Sequence, residues 1–171
     1  MSSFIETQRL SLSVPTSADL LHWQAFFSNP EMVRHMPFQG SPEEYAKKSL
    51  DRAILGFQKH GFGIASIREK NTGCFMGRAG LFHFSHDETQ EKIEIAYGLL
   101  PLYWGKGYAT EILQEIKAWA AQNLSQFPLH ALVHPENIAS KRVLEKNGFA
   151  YLKNLVEDAV EYEMYDTHSC Q

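Results

Sequence analysis

The sequence predicts a mixed α/β (α+β) fold for a chain of 171 residues, and three patterns indicate it. Strand-like stretches joined by short polar turns between residues 62 and 100 predict an antiparallel meander. An amphipathic helix then separates two apolar strands, and such a β-α-β unit requires parallel strands and a right-handed crossover. A last pair of short strands predicts a hairpin. We expect one domain over residues 1–171, with about six or seven mostly antiparallel strands, one parallel pair and about four helices.

The N-terminal third of the chain predicts one strand and two helices. Apolar and polar residues alternate over residues 10–14, as in a half-buried strand. Apolar residues at helical spacing follow, and Pro30 is expected to end that helix because proline cannot continue the hydrogen-bond ladder. A second helix is expected to begin with Ser41 as its N-cap and Pro42 in its first turn, and to stop before Gly61.

The remaining elements follow from the two periodicities of strands and helices. The helix after the meander carries a continuous apolar stripe, with Ile112, Ile116 and Trp119 among its members. Asn137 is a favourable N-cap for the helix that follows the next strand. We expect strands at residues 62–68, 74–84, 92–100, 129–133, 149–153 and 161–165, and helices at residues 105–123 and 137–146.

Charge and hydropathy exclude two classes of partner. The net charge is −4, from 20 acidic and 16 basic residues, so a basic footprint for nucleic acid is absent overall, although this balance leaves local basic clusters open. No stretch is long and apolar enough for a membrane span, and the N-terminus has no signal-peptide pattern. We therefore expect a soluble, cytoplasmic protein without nucleic-acid or membrane partners.

Cysteine and histidine usage argues against a metal centre. Cys74 and Cys170 lie far apart in the sequence and form neither a disulfide framework nor a metal-binding spacing. The eight histidines are scattered, and none follows the H-E-x-x-H pattern. We therefore expect no metal.

Residues 103–111, YWGKGYATE, place two glycines where a strand ends and a helix begins. A helix start exposes unpaired N–H groups and a partial positive charge, and glycines let a phosphate approach the backbone closely. The spacing matches neither the P-loop nor the three-glycine dinucleotide motif. Taken alone, Gly105 and Gly107 fit a plain turn or an anion-binding cradle about equally well.

Two longer stretches surround this turn, IEIAYGLLPLYWGKGYATE and HPENIASKRVLEKNGF. They resemble the acyl-CoA core of the GNAT N-acetyltransferase superfamily, whose signature Gln/Arg-x-x-Gly-x-Gly/Ala is matched by residues 104–109. Trp104 stands where that signature usually has Gln or Arg, a departure typical of the RimJ/RimL-like branch. ETQRLSLSVPTSADL, SNPEMVRHMP and FGIASIREKNTGCFMGRAGL also resemble this branch, so the resemblance covers nearly the whole chain.

The resemblance implies acetyl-CoA (coenzyme A) as the co-substrate. Backbone amides from Gly105 to Thr110 would hold the pyrophosphate, and the end of the preceding strand would pair with the pantetheine arm. In the family this strand splays from its parallel neighbour, and the gap admits the thioester. For Asn137 the helix N-cap is an equally well-motivated role. The residues that the resemblance assigns to the coenzyme are Tyr97, Gly98, Leu99, Trp104, Gly105, Lys106, Gly107, Tyr108, Ala109, Thr110 and Asn137.

Two side chains are the candidate catalytic groups. Glu94 matches an acidic residue common at this place in RimJ/RimL-like sequences, and it would accept a proton from the amine. Ser140 would assist the leaving thiolate in this branch, because Leu144 replaces the tyrosine that many family members carry. The alternatives are a charge on a solvated strand face and an ordinary first-turn helix serine.

The leading functional hypothesis is an N-acetyltransferase that passes the acetyl group directly to a primary amine in a ternary complex. The amine would be a protein N-terminus or a small molecule, and the protein would be a monomer or homodimer. One alternative is a non-catalytic acyl-CoA-binding sensor or scaffold module. Another is a pure interaction domain that binds no coenzyme A.

Aromatic and methionine side chains are the candidate walls of the acceptor pocket. They lie in the first helices and in the loops near residues 30–40 and 80–90. Core packing explains most of them equally well. The candidates are Trp23, Phe27, Met36, Phe38, Phe82 and Phe84.

Overall fold

One sheet of eight strands runs through the residues that the computed structural model describes, 3–83, 92–157 and 159–167. The strands are β1 (Ser3–Glu6), β2 (Leu10–Ser13), β3 (Ile64–Glu69), β4 (Phe75–His83), β5 (Ile93–Leu99), β6 (Leu129–Val133), β7 (Ala150–Glu157) and β8 (Val160–Asp166). Their order is β1-β2-β3-β4-β5-β6-β8-β7, and only β5 and β6 are parallel neighbours. The predicted fold class is confirmed, with slightly more strands than expected.

Five α-helices accompany the sheet within the same described ranges. They are α1 (Leu20–Phe27), α2 (Pro30–Val33), α3 (Pro42–His60), α4 (Tyr108–Asn123) and α5 (Ile138–Lys146). None of these helices has both the length and the apolar character needed to cross a bilayer.

Two short elements were not predicted from the sequence, β1 and α2. In β1 only Ile5 is buried, so the strand carries too little apolar pattern to be recognised, although it pairs with β2. Pro30 does follow the end of α1, but it also starts α2, because the Asn29 side chain accepts a hydrogen bond from the Glu31 N–H. The Asn-Pro pair is therefore both a stop and a start signal.

The predicted limits of α3 are confirmed by its caps. The Ser41 hydroxyl accepts from the Glu44 N–H at 3.2 Å, and the Glu44 carboxylate accepts from the Ser41 N–H at 3.4 Å. Gly61 ends the helix with φ of +78°, a conformation that favours glycine. The helix that forms one wall of the fold is thus determined by local sequence at both ends.

The two faces of β5 are buried to different extents. On the face that packs against α4, Ile93 and Ile95 are buried. On the opposite face, which α1, α2 and α3 cover, Glu94, Ala96 and Gly98 are only half-buried. We call these the α4 face and the α1–α3 face. The α1–α3 face therefore leaves a partly open strip along β5.

The parallel strands β5 and β6 are paired at one end only. Their ladder contains two residue pairs, Ile93 with Leu129 and Glu94 with His130, although β5 continues to Leu99. Beyond this point the strands separate, and among the described residues the later part of β5 has no partner strand on that edge. This is the splay that the family resemblance implies.

Candidate active site

The turn between β5 and α4 has an open backbone. Gly105 and Gly107 have φ of +73° and +79°, a left-handed conformation that side chains disfavour. A Cβ added to Gly105 would meet no heavy atom within 4 Å, so the space in front of the turn is free. Gly107 is the N-cap of α4 and offers no side-chain acceptor to the first helical N–H groups. This arrangement is suited to binding an anion.

The other side chains of the turn surround these amides. Lys106 is exposed, and its Nζ lies 5.9 Å from the ring centroid of Tyr103. Tyr108, Ala109 and Thr110 form the first turn of α4 and are half-buried. The structure therefore brings the predicted coenzyme residues 104–110 together around one helix N-terminus.

An ion pair that was not expected from the sequence braces this turn. Arg9 Nη2 and Nε both contact Glu111 Oε2 at 2.6 Å, and Arg9 Nη1 donates to the Lys106 carbonyl at 3.1 Å. The Arg9 guanidinium also lies 4.1 Å from the ring centroid of Tyr108. Arg9 thus ties the glycine turn to the start of β2 and places a positive charge beside the open amides.

Glu111 is held by a second residue of the same N-terminal stretch. Thr7 Oγ1 donates to Glu111 Oε1 at 2.5 Å, and the Arg9 N–H donates to the same oxygen at 2.9 Å. Burial by itself raises the pKa of Glu111, but hydrogen bonds from Thr7 and Arg9 hold that pKa below its ordinary value. Both partners lie in ETQRL, whose resemblance to the RimJ/RimL-like branch was the available sequence signal.

The backbone groups of β5 alternate between its two edges. The Ile93 N–H donates to the Pro128 carbonyl at 3.2 Å, beside β6, and the Leu100 N–H donates to the Met76 carbonyl of β4 at 2.8 Å. Because successive residues of a strand direct their backbone groups to opposite edges, the odd-numbered residues of β5 face the gap.

Among the predicted pantetheine residues, Tyr97 and Leu99 therefore face the gap, whereas the backbone of Gly98 faces β4. The Trp104 indole Nε1 donates to the Leu99 carbonyl, which fastens the turn to the strand end. The N–H and carbonyl of Tyr97 and the N–H of Leu99 are then positioned to pair with an extended ligand. Gly98 serves another purpose, since an added Cβ would lie 2.9 Å from Phe26 Cζ.

Tyr97 also connects β5 to the start of α5 across the gap. Its hydroxyl donates to the Ser140 carbonyl at 3.2 Å, and Asn137 Oδ1 accepts from the Ser140 N–H at 3.1 Å. Burial raises the pKa of Tyr97 to about 12, so the phenol stays protonated and donates. Asn137 is the N-cap of α5. Within the described ranges, no hydrogen-bond partner is recorded for the Ser140 hydroxyl.

The two candidate catalytic residues lie at opposite ends of the gap. Glu94 is the last residue of β5 that pairs with β6, and its half-buried side chain leaves from the α1–α3 face. Ser140 lies beyond the open end of β6, in the first turn of α5. Leu144, at the position of the family's tyrosine, is completely buried in the core and is not available to a substrate.

The α1–α2 segment covers the end of β5 on the α1–α3 face. Phe26 and Met32 both pack where a Cβ of Gly98 would lie, the Met32 Cε at 3.3 Å. The chain after α2 then reaches the end of β6, where the rings of His35 and His134 stack at a centroid distance of 5.0 Å. This segment therefore spans the gap on the side opposite α4.

The histidine pair was not predicted to form a contact. The possible ligand atoms of His35, His134 and Glu136 lie within 4.8 Å of one another, the one group in the described ranges with a spacing suited to a metal ion. However, His134 Nδ1 accepts the Glu136 N–H at 3.2 Å, and the rings stack instead of converging on one point. Burial lowers the pKa of His35, and His134 and Arg34 lower it further. We interpret the pair as a packing contact, and the absence of a metal stays a prediction.

Two of the predicted acceptor walls belong to the core. Trp23 and Phe27 are fully buried on the α1–α3 face, so the prediction that they line an acceptor pocket is wrong. Trp23 Nε1 donates to the Ser66 hydroxyl at 3.0 Å, which fixes α1 to β3. Large aromatic side chains on α1 attach the helix to the sheet, and the sequence pattern does not separate this role from a lining role.

The other predicted walls keep some exposed surface. Met36 is half-buried, and so is Phe38, whose ring stacks on Tyr45 at a centroid distance of 4.4 Å. Phe82 is half-buried and lies opposite Glu94 on the neighbouring strand. Phe84 lies outside the described residues. Met36 and Phe82 stay candidate contacts for an acceptor.

The fold and the site together define a class of protein. An open helix N-terminus lies beside an unpaired strand edge, so an elongated anionic molecule fits one side of the gap. A partly open strip with an acidic residue reaches the same gap from the α1–α3 face. These features fit a group-transfer enzyme that brings two substrates together between separated parallel strands.

The chain belongs to the GNAT acetyltransferase family, because the family's acetyltransferase (GNAT) domain matches residues 9–150. It is 28% identical over 150 residues to the uncharacterized N-acetyltransferase YoaA of Bacillus subtilis (strain 168), covering 87% of this chain and 84% of that protein. The predicted family and the acetyltransferase class are confirmed.

Solved structures show the same fold. An acetyltransferase from Agrobacterium tumefaciens (strain C58) matches with a TM-score of 0.80 and 23% identity, over 96% of this chain and 94% of that one. RimL, a ribosomal-protein α-N-acetyltransferase in complex with coenzyme A, matches with a TM-score of 0.75 and 16% identity, over 94% of each chain. The second likeness is consistent with the predicted RimJ/RimL-like branch.

Proposed function

We propose that this chain is an acetyl-CoA-dependent N-acetyltransferase that moves the acetyl group directly to a primary amine in a ternary complex. The observation that carries the proposal is the separation of β5 and β6 after Glu94. Coenzyme A would then bind at the N-terminus of α4, and the acceptor would bind on the α1–α3 face. The acceptor would be a protein N-terminus or a small amine.

Coenzyme A fits the surface beside α4. The amides of residues 105–110 would hold the pyrophosphate, with Lys106 and Arg9 as nearby positive charges. Tyr97 and Leu99 would pair with the pantetheine arm through their gap-facing backbone groups. The N-cap uses only Oδ1 of Asn137, so its amide NH₂ is left for the same arm. RimL, which shares the fold, binds coenzyme A.

The chain's own residues would manage the protons of the reaction. An alkyl ammonium, with a pKa of about 10, must first lose a proton, and Glu94 would accept it directly or through water. The amine nitrogen then bonds to the acetyl carbon while the carbon–sulfur bond breaks. The second proton leaves the nitrogen and reaches the thiolate with the help of the Ser140 hydroxyl. A gap-facing backbone N–H of β5 would stabilise the developing oxyanion.

A thiol-release assay over a panel of primary amines tests the proposal. We expect release of free coenzyme A that depends on the amine, with intersecting double-reciprocal plots because both substrates are bound together. Parallel plots would contradict direct transfer. Binding of coenzyme A in calorimetry without release for any amine would support the sensor or scaffold alternative and overturn the proposal.

A further inference from the structure

Arg78 is a cation that the fold surrounds with aromatic rings. It lies on β4 opposite Gly98, and its side chain enters the α1–α3 face. The guanidinium carbon lies 4.6, 5.4 and 5.5 Å from the ring centroids of Phe27, Phe26 and Trp23. Such rings stabilise a cation but do not neutralise it.

The hydrogen-bond partners of Arg78 are weak and uncharged. Nη1 donates to the Ser49 hydroxyl at 3.4 Å, and Nη2 donates to the Met36 sulfur at 3.2 Å. A guanidinium has five N–H donors, and no further acceptor for them is recorded in the described ranges. Burial lowers the pKa of Arg78 to about 10, so the group is still charged at neutral pH. The residue is half-buried, so part of it remains in contact with solvent.

A second arginine on the same face shows what is missing. Arg68 lies near an aromatic ring too, 5.9 Å from the centroid of Phe75, but it donates to the Asp19 carboxylate at 2.6 Å. For Arg78, no carboxylate partner is present among the residues that the structure describes. A cation that has lost part of its hydration and has no charged partner is costly, so we look for an anion supplied from outside the chain to Arg78.

We propose that Arg78 binds the carboxylate of the acceptor, so that the acceptor is an amine that carries a carboxylate at some distance from it, such as a short peptide. The inference rests on the proposed function, because Arg78 shares the α1–α3 face with Glu94. Phe82 on β4 pairs with Glu94 on β5. Arg78 lies about 13 Å from Phe82 along β4. An amino carboxylate could therefore direct its amine towards Glu94 and its carboxylate towards Arg78. A planar guanidinium is well suited to a bidentate carboxylate.

Paired acceptors test the assignment. Short peptides and their C-terminal amides have the same N-terminal amine and differ only in the carboxylate. We expect the wild-type protein to prefer the free acids, and Arg78→Met to abolish that preference by raising KM for the acids about ten- to hundredfold. KM for the amides should change much less than KM for the acids. Arg52→Met, on an exposed position of α3, serves as the control.

A binding measurement keeps the test independent of turnover. In the presence of coenzyme A, N-acetylated peptides with a free carboxylate should raise the melting temperature of the wild type, and their amides should not. If Arg78→Met fails to fold, Arg78→Lys takes its place. It keeps the charge but not the planar guanidinium, so it should retain part of this shift in melting temperature. A shift of equal size for acids and amides would overturn the proposal.

The remaining outcomes separate this inference from the proposed function. If no amine in the panel releases thiol, the proposed function fails. If the wild type and Arg78→Met use acids and amides alike, only the role of Arg78 fails, and the residue is a structural clamp. A preference for O-phosphoethanolamine over every carboxylate would overturn the carboxylate assignment.

Discussion

The two sides of the gap between β5 and β6 are built from different parts of the polypeptide. Beside α4, the candidate coenzyme surface consists of backbone groups, namely the amides after Gly105 and the free edge of Tyr97 and Leu99. On the α1–α3 face, the candidate acceptor surface consists of side chains, chiefly Glu94 and Arg78. One surface depends on backbone conformation, and the other depends on residue identity.

This difference separates what relatives must share from what they can change. Backbone amides are chemically the same in every residue, so a coenzyme surface needs only glycines at the right φ and a braced helix start. An acceptor surface made of side chains changes with each substitution. A relative that is 28% identical can therefore keep the first surface and alter the second. Experiments that act on one surface at a time test this separation.

The largest expected effect is on the acceptor side. Glu94→Gln keeps the size of the side chain but removes the proposed base, so we expect kcat to fall about a hundredfold or more. The dissociation constant of coenzyme A should not change, because Glu94 is remote from the glycine turn. Steady-state kinetics and calorimetry measure the two quantities.

The matched control for this prediction is Glu69→Gln. Glu69 is also half-buried but lies at the end of β3, where it accepts a hydrogen bond from Thr72. The Glu69→Gln substitution should therefore leave kcat unchanged. Equal activity of Glu94→Gln and the wild type would show that the amine loses its proton elsewhere.

The next largest effect is on the coenzyme side, and the chain contains a matched pair of glycines for it. Gly105 and Gly73 have φ of +73° and +71°, and an added Cβ meets no heavy atom within 4 Å at either position. Replacement by alanine should therefore cost each site the same strain, about 1 kcal/mol. Only Gly105→Ala places a methyl group in front of the open amides. We expect it to raise the dissociation constant of coenzyme A about tenfold.

Calorimetric titration and thermal unfolding of both variants check this comparison. The two melting temperatures should fall by similar amounts, and coenzyme A affinity should differ between them. If Gly73→Ala weakens coenzyme A binding as much as Gly105→Ala does, the effect reports lost stability and not a blocked cradle.

A smaller effect is expected where the two surfaces meet. Tyr97→Phe removes the hydroxyl that donates to the Ser140 carbonyl and keeps the ring, so α5 loses one anchor to β5. A hydrogen bond of about 1 kcal/mol corresponds to a fall of about fivefold in kcat, with coenzyme A affinity changed less. Tyr151→Phe is the control, because its hydroxyl donates to exposed Asn154 at 3.0 Å. Unchanged kcat in Tyr97→Phe would mean that Ser140 needs no anchoring.

The sequence predicted the coenzyme side better than the acceptor side, because the coenzyme side depends on backbone conformation and the acceptor side depends on side-chain contacts. A positive φ favours glycine, and a helix start favours a capping side chain or an anion, so Gly105, Gly107 and Asn137 leave visible local signals. The existence of β5 and β6 and the fold class follow from periodicity. The splay itself came from family resemblance, since no local pattern states where two parallel strands separate.

The features that were missed depend on contacts between distant parts of the chain. Arg9 and Glu111 are separated by 102 residues, and nothing near either one indicates the other. Trp23 and Phe27 were predicted as pocket walls because an apolar helix face has the same sequence pattern whether it packs in the core or lines a pocket. Arg78 resembled an ordinary strand residue, and only the packing of α1 and α3 around it shows that its charge has no partner among the described residues.

The smallest expected effect concerns the brace of the coenzyme turn, and it depends on pH. The pKa of Glu111 in the folded protein lies below its ordinary value of 4.5. The stability that Glu111 contributes is therefore fully present above the pKa of the unfolded chain and is lost as the pH falls through the folded pKa. Glu111→Gln cannot ionise, so it should lower stability at pH 7 by about 1 kcal/mol and flatten the loss below about pH 4.5.

Melting temperatures between pH 3 and pH 7 measure this difference, with Glu115→Gln, on an exposed position of the same helix, as the control. The wild type and Glu111→Gln should converge at low pH, because a protonated glutamate and a glutamine are both neutral partners of Arg9. Coenzyme A affinity at pH 7 should fall in Glu111→Gln as well, since the same ion pair holds the Lys106 carbonyl through Arg9. Parallel stability curves for the variant and the wild type would show that Glu111 carries no charge-dependent role in the turn. In that case the conformation of the coenzyme surface would not depend on this ion pair, and the contrast between the two sides of the gap would be sharper.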